Sequence, residues 1–166
     1  MATRIEHRAT FAHSVADAYA AQTDAEALRA RLRQVGGERS ELRDHEVTEH
    51  GARYTLVQGI PADKLPSLIR TLRSGDLSVQ RRHVWTREGD SDRATGTITV
   101  EVADIPGRIT ADVELAPGGT GSVQTTRGEV SVPVPLVGGK IERFVVDQVT
   151  QLLESEARAT EQWLAR

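Results

Sequence analysis

At 166 residues, 38% of them apolar, the chain has the length and composition of one globular domain that can build a core without disulfides or metal. Its 24 acidic against 21 basic residues give a net charge of −3, which excludes a nucleic-acid surface driven by bulk charge. The lack of cysteine excludes disulfide frameworks, thiol nucleophiles and cysteine-ligated metal, and no apolar run approaches the roughly 20 residues of a membrane span.

The opening Met1-Ala-Thr-Arg-Ile-Glu-His-Arg lacks the apolar stretch of a signal peptide. The expectation is a cytoplasmic protein forming one domain over residues 1–166, with no repeat and no linker. Thr3 to Phe11 alternates, with Ile5, His7, Ala9 and Phe11 on one side, and predicts a strand with one dry face. Ser14 with Asp17 three residues on approximates a capping box for a short helix through Val15, Ala18 and Tyr19. A second helix runs over Asp24 to Val35 on an Ala27, Leu28, Leu32, Val35 stripe, and Gly36-Gly37 stops it.

Residues 39–47 and 52–58 read as a hairpin turning near His50-Gly51. Ala62 to Leu72 carries Leu65, Leu68, Ile69 and Leu72 at helical spacing, a short helix or helical turn. Leu77–Arg87, Arg93–Val102, Arg108–Leu115 and Ser122–Val132 then read as four strands of an antiparallel meander. Turn clusters at 88–92, 104–107 and 116–121 separate them.

Pro133 and Pro135 end the last strand, because proline cannot donate to a ladder. From about Leu136 to Leu164 a helical stripe follows: Ile141, Val145, Val149, Leu152, Leu153, Ala157 and Trp163. Such a helix would be roughly 40 Å long, and only the sheet is large enough to cover its apolar side. The predicted class is α+β: a curved antiparallel sheet of about seven strands wrapped around a long C-terminal helix, with two short helices after strand 1.

That order of elements resembles the START-like superfamily, also called SRPBCC, birch-pollen-allergen-like or helix-grip. Two stretches, residues 5–19 (Ile-Glu-His-Arg-Ala-Thr-Phe-Ala-His-Ser-Val-Ala-Asp-Ala-Tyr) and 132–143 (Val-Pro-Val-Pro-Leu-Val-Gly-Gly-Lys-Ile-Glu-Arg), are similar to an actinobacterial family of unknown function within it. These motifs mark fold landmarks, and no catalytic signature accompanies them. The resemblance implies a cavity between sheet and C-terminal helix, where members of the superfamily hold lipids, sterols, polyketides or other apolar molecules. A minority are cyclases or other enzymes, but none of their catalytic residues maps onto this chain.

Several strings suggest chemistry and fail on spacing. In His45-Glu46-Val47-Thr48-Glu49-His50 the histidines are five apart, not the four of a zinc helix, and on a strand an odd separation puts them on opposite faces. This is a polar hairpin, and no metal is expected. Gly138-Gly139-Lys140 echoes a phosphate loop, but Ile141 stands where Ser or Thr is needed and Val134 where the first Gly is needed. Close approach of the helix to the sheet, or room at a cavity mouth, explains two glycines there.

In Arg81-Arg82-His83-Val84-Trp85 two parities are open. If Trp85 faces inward, so do His83 and Arg81, a set suited to orienting a carboxylate or phenol, and Arg81 then needs an acidic partner or an anionic ligand. With Val84 inward, Arg81 is solvated. Tyr54 is a second polar-tipped lining candidate. His7 reads as a core histidine, Glu154 and Arg158 as an ordinary helix pair, and Arg29, Arg31 and Arg33 as no common stripe.

The expected function is a binding protein for a small apolar or amphipathic ligand, lipid- or polyketide-like. Its cavity is lined by Tyr54, His83, Trp85, Ile98, Ile109, Ile141 and Val145, with His83 as the polar contact. No catalytic residue, cofactor, nucleic-acid partner or membrane span is assigned, and the sequence does not give the oligomeric state. The alternatives are a polyketide-cyclase-like or dehydratase-like enzyme using His83 or His7 in the same cavity, and an interaction protein with a filled core.

Overall fold

The computed structural model describes residues 2–37, 39–72 and 75–166. The first strand, β1 (Ala2–Phe11), buries Ile5 and Phe11 as its alternation requires and runs into α1 (Val15–Thr23), where Ser14 Oγ accepts from the Asp17 N–H at 3.1 Å. Asp24 caps α2 (Ala25–Val35) in the same way, accepting from the Ala27 N–H at 3.0 Å. The hairpin of β2 (Glu41–Thr48) and β3 (Gly51–Ile60) turns at Glu49-His50, with a register shift between Arg43 and Glu46.

The predicted helix over 62–72 is broken in two. A single 3₁₀ turn covers Ala62–Lys64 and a four-residue helix, α3, covers Ser67–Arg70. Pro66 is the cause: the residue before a proline is pushed out of the helical region, and Leu65 has φ −92° and ψ 140°. Four strands complete the meander: β4 (Leu77–Thr86), β5 (Ala94–Val102), β6 (Arg108–Gly118) and β7 (Gly121–Ser131). The last hairpin is tighter than its run of turn residues suggests, since Gly118 still pairs with Gly121 across Gly119-Thr120.

All seven strands form one antiparallel, curved sheet in the order β1-β7-β6-β5-β4-β3-β2. The 27-residue α4 (Gly138–Leu164) packs across its concave face, as the length and stripe of the C-terminal segment require. Three buried clusters lie between the layers. The largest gathers Phe11, Tyr19, Leu28, Tyr54, Leu56, Trp85 and Leu115 beneath α1 and α2. A second joins Ile5, Val130 and Val132 to Ile141, Val145, Val149 and Leu153 of α4, and a third surrounds Leu65, Ile69 and Leu77.

The glycine pair at the start of α4 divides in role. A Cβ on Gly138 would fall against the Val132 carbonyl oxygen, so the helix enters too closely for any side chain. At Gly139 the nearest such neighbour is Arg143 Nη1 at 3.6 Å, ordinary contact. Glu142 is anchored nearby, one carboxylate oxygen accepting from Thr3 Oγ1 at 2.8 Å and the other from the Val132 N–H at 2.9 Å. Those two hydrogen bonds, the backbone one first, hold its carboxyl below the usual carboxylate range.

Candidate functional site

Strand β4 resolves the open parity. Arg81, His83 and Trp85 face the interior at 5%, 6% and 4% exposure, while Val84 on the other face is 43% exposed. A buried guanidinium needs a partner, and Arg81 has one in Glu156 of α4. Arg81 Nη1 donates to Oε1 at 3.1 Å and Nη2 donates to Oε2 in a bidentate fork. A second cation reaches the same carboxylate from α2: Arg31, 7% exposed, holds Nε 3.6 Å from Glu156 Oε2, an ion pair but too far for a hydrogen bond.

Around this triad sits an aromatic group. Tyr54 lies against His83 with ring centroids 4.8 Å apart and planes 16° from parallel. Its hydroxyl donates to the Gln22 carbonyl at 2.8 Å and accepts from Trp85 Nε1 at 3.3 Å. That carbonyl is one of the last four of α1, which have no partner inside the helix, so Tyr54 caps α1 from the sheet. His45 does the same one residue on, donating from Nε2 to the Thr23 carbonyl at 2.6 Å. Tyr19 meets Trp85 edge-on at 5.8 Å.

Burial and the two arginines act together on the site's titrations. Desolvation, then the charges of Arg81 and Arg31, press the His83 pKa well below 6.5, so its imidazole is neutral at pH 7. Desolvation alone would raise the Glu156 carboxyl, but Arg31 and Arg81 outweigh it and hold the group below its ordinary value. Desolvation raises the Tyr54 phenol. The site at neutral pH is therefore two cations, one carboxylate, a neutral imidazole and a neutral phenol.

Arg31, His83, Glu156 and Trp85 border a cavity of about 30 Å³ between sheet and helix, with Ile98 and Leu153 among its other walls, whereas Tyr54 and Arg81 do not line it. The space is more polar than a lining of Tyr54, Ile98, Ile109, Ile141 and Val145 would make it. Of the seven lining candidates, the fold brings Tyr54, His83 and Trp85 together, and Ile98 joins them from β5 directly opposite His83. Ile109, Ile141 and Val145 lie instead in the second cluster, towards the N-terminal part of α4, and do not border this cavity.

Sequence reasoning missed Arg31 and Glu156, although both carry a signal. Arg31 falls on the buried stripe of α2 with Ala27, Leu28 and Leu32, and Glu156 falls on that of α4 with Leu152, Leu153, Ala159 and Thr160. A charge in the middle of an apolar stripe calls for a buried partner. Arg31 is thus no surface arginine like Arg29 and Arg33, which are exposed. Glu154 hydrogen-bonds His7 Nε2 at 2.7 Å, while Arg158 donates to Ser155 Oγ at 3.3 Å. The two histidines of the 45–50 string go separate ways, His50 donating from Nδ1 to Glu88 at 2.7 Å.

On the far side of Arg31 an outer groove of about 210 Å³ runs between α1, α2 and the last turns of α4. Ala27, Ala30 and Ala159 line it together with Trp163, whose ring carries the Arg166 guanidinium at 3.6 Å. Arg31 and Thr160 border both groove and cavity. Among the described residues no helix is long and apolar enough to cross a membrane.

A curved seven-stranded antiparallel sheet gripping one long helix, with two short helices inserted after the first strand, defines the START-like, birch-pollen-allergen-like class of fold. Solved structures agree. TTHA0849 from Thermus thermophilus superposes with a TM-score of 0.61 at 17% identity, covering 99% of this chain and 97% of that one. Ara h 8.0201 superposes at 0.56 with 13% identity and 99% of each chain. Within that class the chain belongs to the family described as Protein of unknown function (DUF2505), whose model matches residues 6–164. Uncharacterized protein Rv0481c of Mycobacterium tuberculosis is 31% identical over 162 residues, 95% of this chain and 87% of its own, and Uncharacterized protein Mb0491c of Mycobacterium bovis matches equally.

Proposed function

We propose that this protein binds a small amphipathic molecule whose polar end enters the cavity between the sheet and α4. The observation that carries the reading is a set of buried polar atoms at that cavity. Among the described residues, Arg31 Nε and Nη2 and both ring nitrogens of His83, two residues that line it, have no hydrogen-bond partner, and neither has Arg81 Nε on the same strand face. Each such group costs about 1–3 kcal/mol, more where it is charged. A bound polar group that reaches them recovers that cost. The fold supports the same reading, since a sheet curled over a helix leaves space between its layers.

Two other readings keep a specific observation each. The cavity is far below the roughly 300–1,000 Å³ of small-molecule pockets, at about 30 Å³, which favours an interaction protein with a filled core. His83, neutral and stacked on Tyr54, has the form of a general base, which favours a cyclase- or dehydratase-like enzyme. Native mass spectrometry of the purified protein against its denatured mass decides first. An extra mass that is lost on denaturation supports binding and supplies the compound, and a clean mass moves the weight to the filled core. Turnover of the bound compound that is lost in His83→Gln while binding persists would establish the enzyme.

A further inference from the structure

Charge around Glu156 is unbalanced by one, two guanidinium groups to one carboxylate. Arg81 and Glu156 satisfy each other through their fork, and Arg31 is left over. Its contact with Glu156 is 3.6 Å, and no other carboxylate lies within ion-pair distance of it among the described residues. Nε and Nη2 donate to nothing, and a guanidinium cannot discharge itself by losing a proton. None of the neighbouring polar side chains accepts from Nε or Nη2. Gln22 Nε2 donates to Gln124 Oε1 at 2.6 Å and to the Ala18 carbonyl at 3.1 Å, and Thr160 Oγ1 donates to the Glu156 carbonyl at 2.9 Å.

Three features of the missing partner follow. It carries one negative charge, since that is the excess. Its charged group accepts two parallel N–H bonds, the pairing an arginine fork offers. It is small, because the cavity beside Arg31 holds about 30 Å³, room for a carboxylate and little else. A phosphate dianion fails the first requirement.

The remainder of such a molecule has a place as well. Arg31 and Thr160 alone border both the cavity and the outer groove of about 210 Å³. The groove is lined by alanines and the Trp163 ring together with Gln34, Gln162 and Arg166, and Gln34 Nε2 ties α2 to α4 by donating to Gln162 Oε1 at 2.8 Å. We propose that the site takes a small monocarboxylate, aromatic or short-chain aliphatic, with its carboxylate on Arg31 and its body in the groove between α2 and the last turns of α4. Arg31 is then both the anion anchor and the wall that moves on entry. This inference rests on the ligand-binding reading above and adds the chemical class and the route.

The test uses the whole chain and defined probes: butanoate, octanoate, benzoate and naphthoate, each against its own amide. Nitrogen–proton NMR follows the buried Arg31 Nε–H and the Trp163 indole during titration. At least one acid is expected to shift both signals, its amide to bind at least tenfold more weakly, and Arg31→Met to abolish binding while staying folded. Arg31→Lys, which keeps the charge but not the fork, is expected to bind the acid at least tenfold more weakly than the parent chain.

An amide that binds as well as its acid, an Arg31→Met variant that keeps its affinity, or no binding by any acid at about 10 mM overturns the proposal. The two readings fail separately. A retained native mass without an anionic group overturns the carboxylate and leaves a ligand pocket standing, whereas no retained mass and no response to acids or amides overturns both.

Discussion

Glu156→Gln is the sharpest probe of the interior, because it removes one charge and almost no volume. In the parent chain Glu156 faces Arg81 through a bidentate fork and Arg31 at 3.6 Å. The amide leaves two buried guanidinium groups facing each other with no anion. Breaking a buried ion pair from one side costs about 3–5 kcal/mol, against a total stability of about 5–15 kcal/mol for a domain. At about 2–4 °C per kcal/mol for a chain of this length, the melting temperature should fall by about 6–20 °C.

The matching control removes all three charges at once, Arg31→Met with Arg81→Met and Glu156→Leu. Apolar replacement of a buried ionic group is often neutral or stabilising by about 1–4 kcal/mol, so the triple variant should be at least as stable as the parent. Urea unfolding followed by circular dichroism measures both. A Glu156→Gln cost below about 1 kcal/mol, or a triple variant as unstable as the single one, would refute the reasoning that these charges are costly to separate and unnecessary for folding.

Four further outcomes are expected. Because the folded Glu156 pKa is depressed, its contribution is complete above the unfolded carboxylate value and is lost as pH falls through the folded one; unfolding at pH 3 to 6 should show an acid loss that the triple variant lacks. His83 is also depressed, but as a base it takes up its proton first in the unfolded chain, so stability should fall as pH drops below about 6.5, by up to about 1.4 kcal/mol per unit, and His83→Phe should flatten that slope. Tyr54→Phe strands the Gln22 carbonyl and the Trp85 indole N–H and should cost about 1–3 kcal/mol in urea unfolding. Gly138→Ala, aimed at the Val132 carbonyl, should cost about 1–3 kcal/mol, whereas Gly139→Ala should stabilise by up to about 1 kcal/mol, and melting curves of the two must move in opposite directions.

The long helix and the meander were legible because their signals are periodic and local: the α4 stripe recurs over about seven turns, and each strand is bounded by turn residues. Pro66 shows a local rule outweighing a pattern, for the leucines around it keep helical spacing while the backbone at Leu65 cannot follow. The site was legible only in part. Hydropathy does not choose between the two faces of Arg81 to Trp85, since each carries an apolar residue and an arginine. The choice is made by Glu156, 75 residues further along, and by a cavity that only the assembled layers create. A curled sheet over one amphipathic helix puts Ile109, Ile141 and Val145 on the same interior as Trp85, but the position along that interior that separates the two clusters has no signature in one sequence.

The strand order carries a consequence for how this protein comes into being. β1, the first strand made, pairs with β7 from Ala2↔Ser131 to Phe11↔Ser122, and its Thr3 bonds Glu142 across 139 residues. On the ribosome β1 must therefore wait without its partner until β7 has emerged, and the buried arginines wait in water for a carboxylate in α4. Closure by such distant contacts is slow, because the entropy of the long loop is lost before any contact forms. The face that β1 shows meanwhile carries Arg4, Glu6, Arg8 and Thr10, and charges of this kind oppose pairing of an unpartnered strand with another chain.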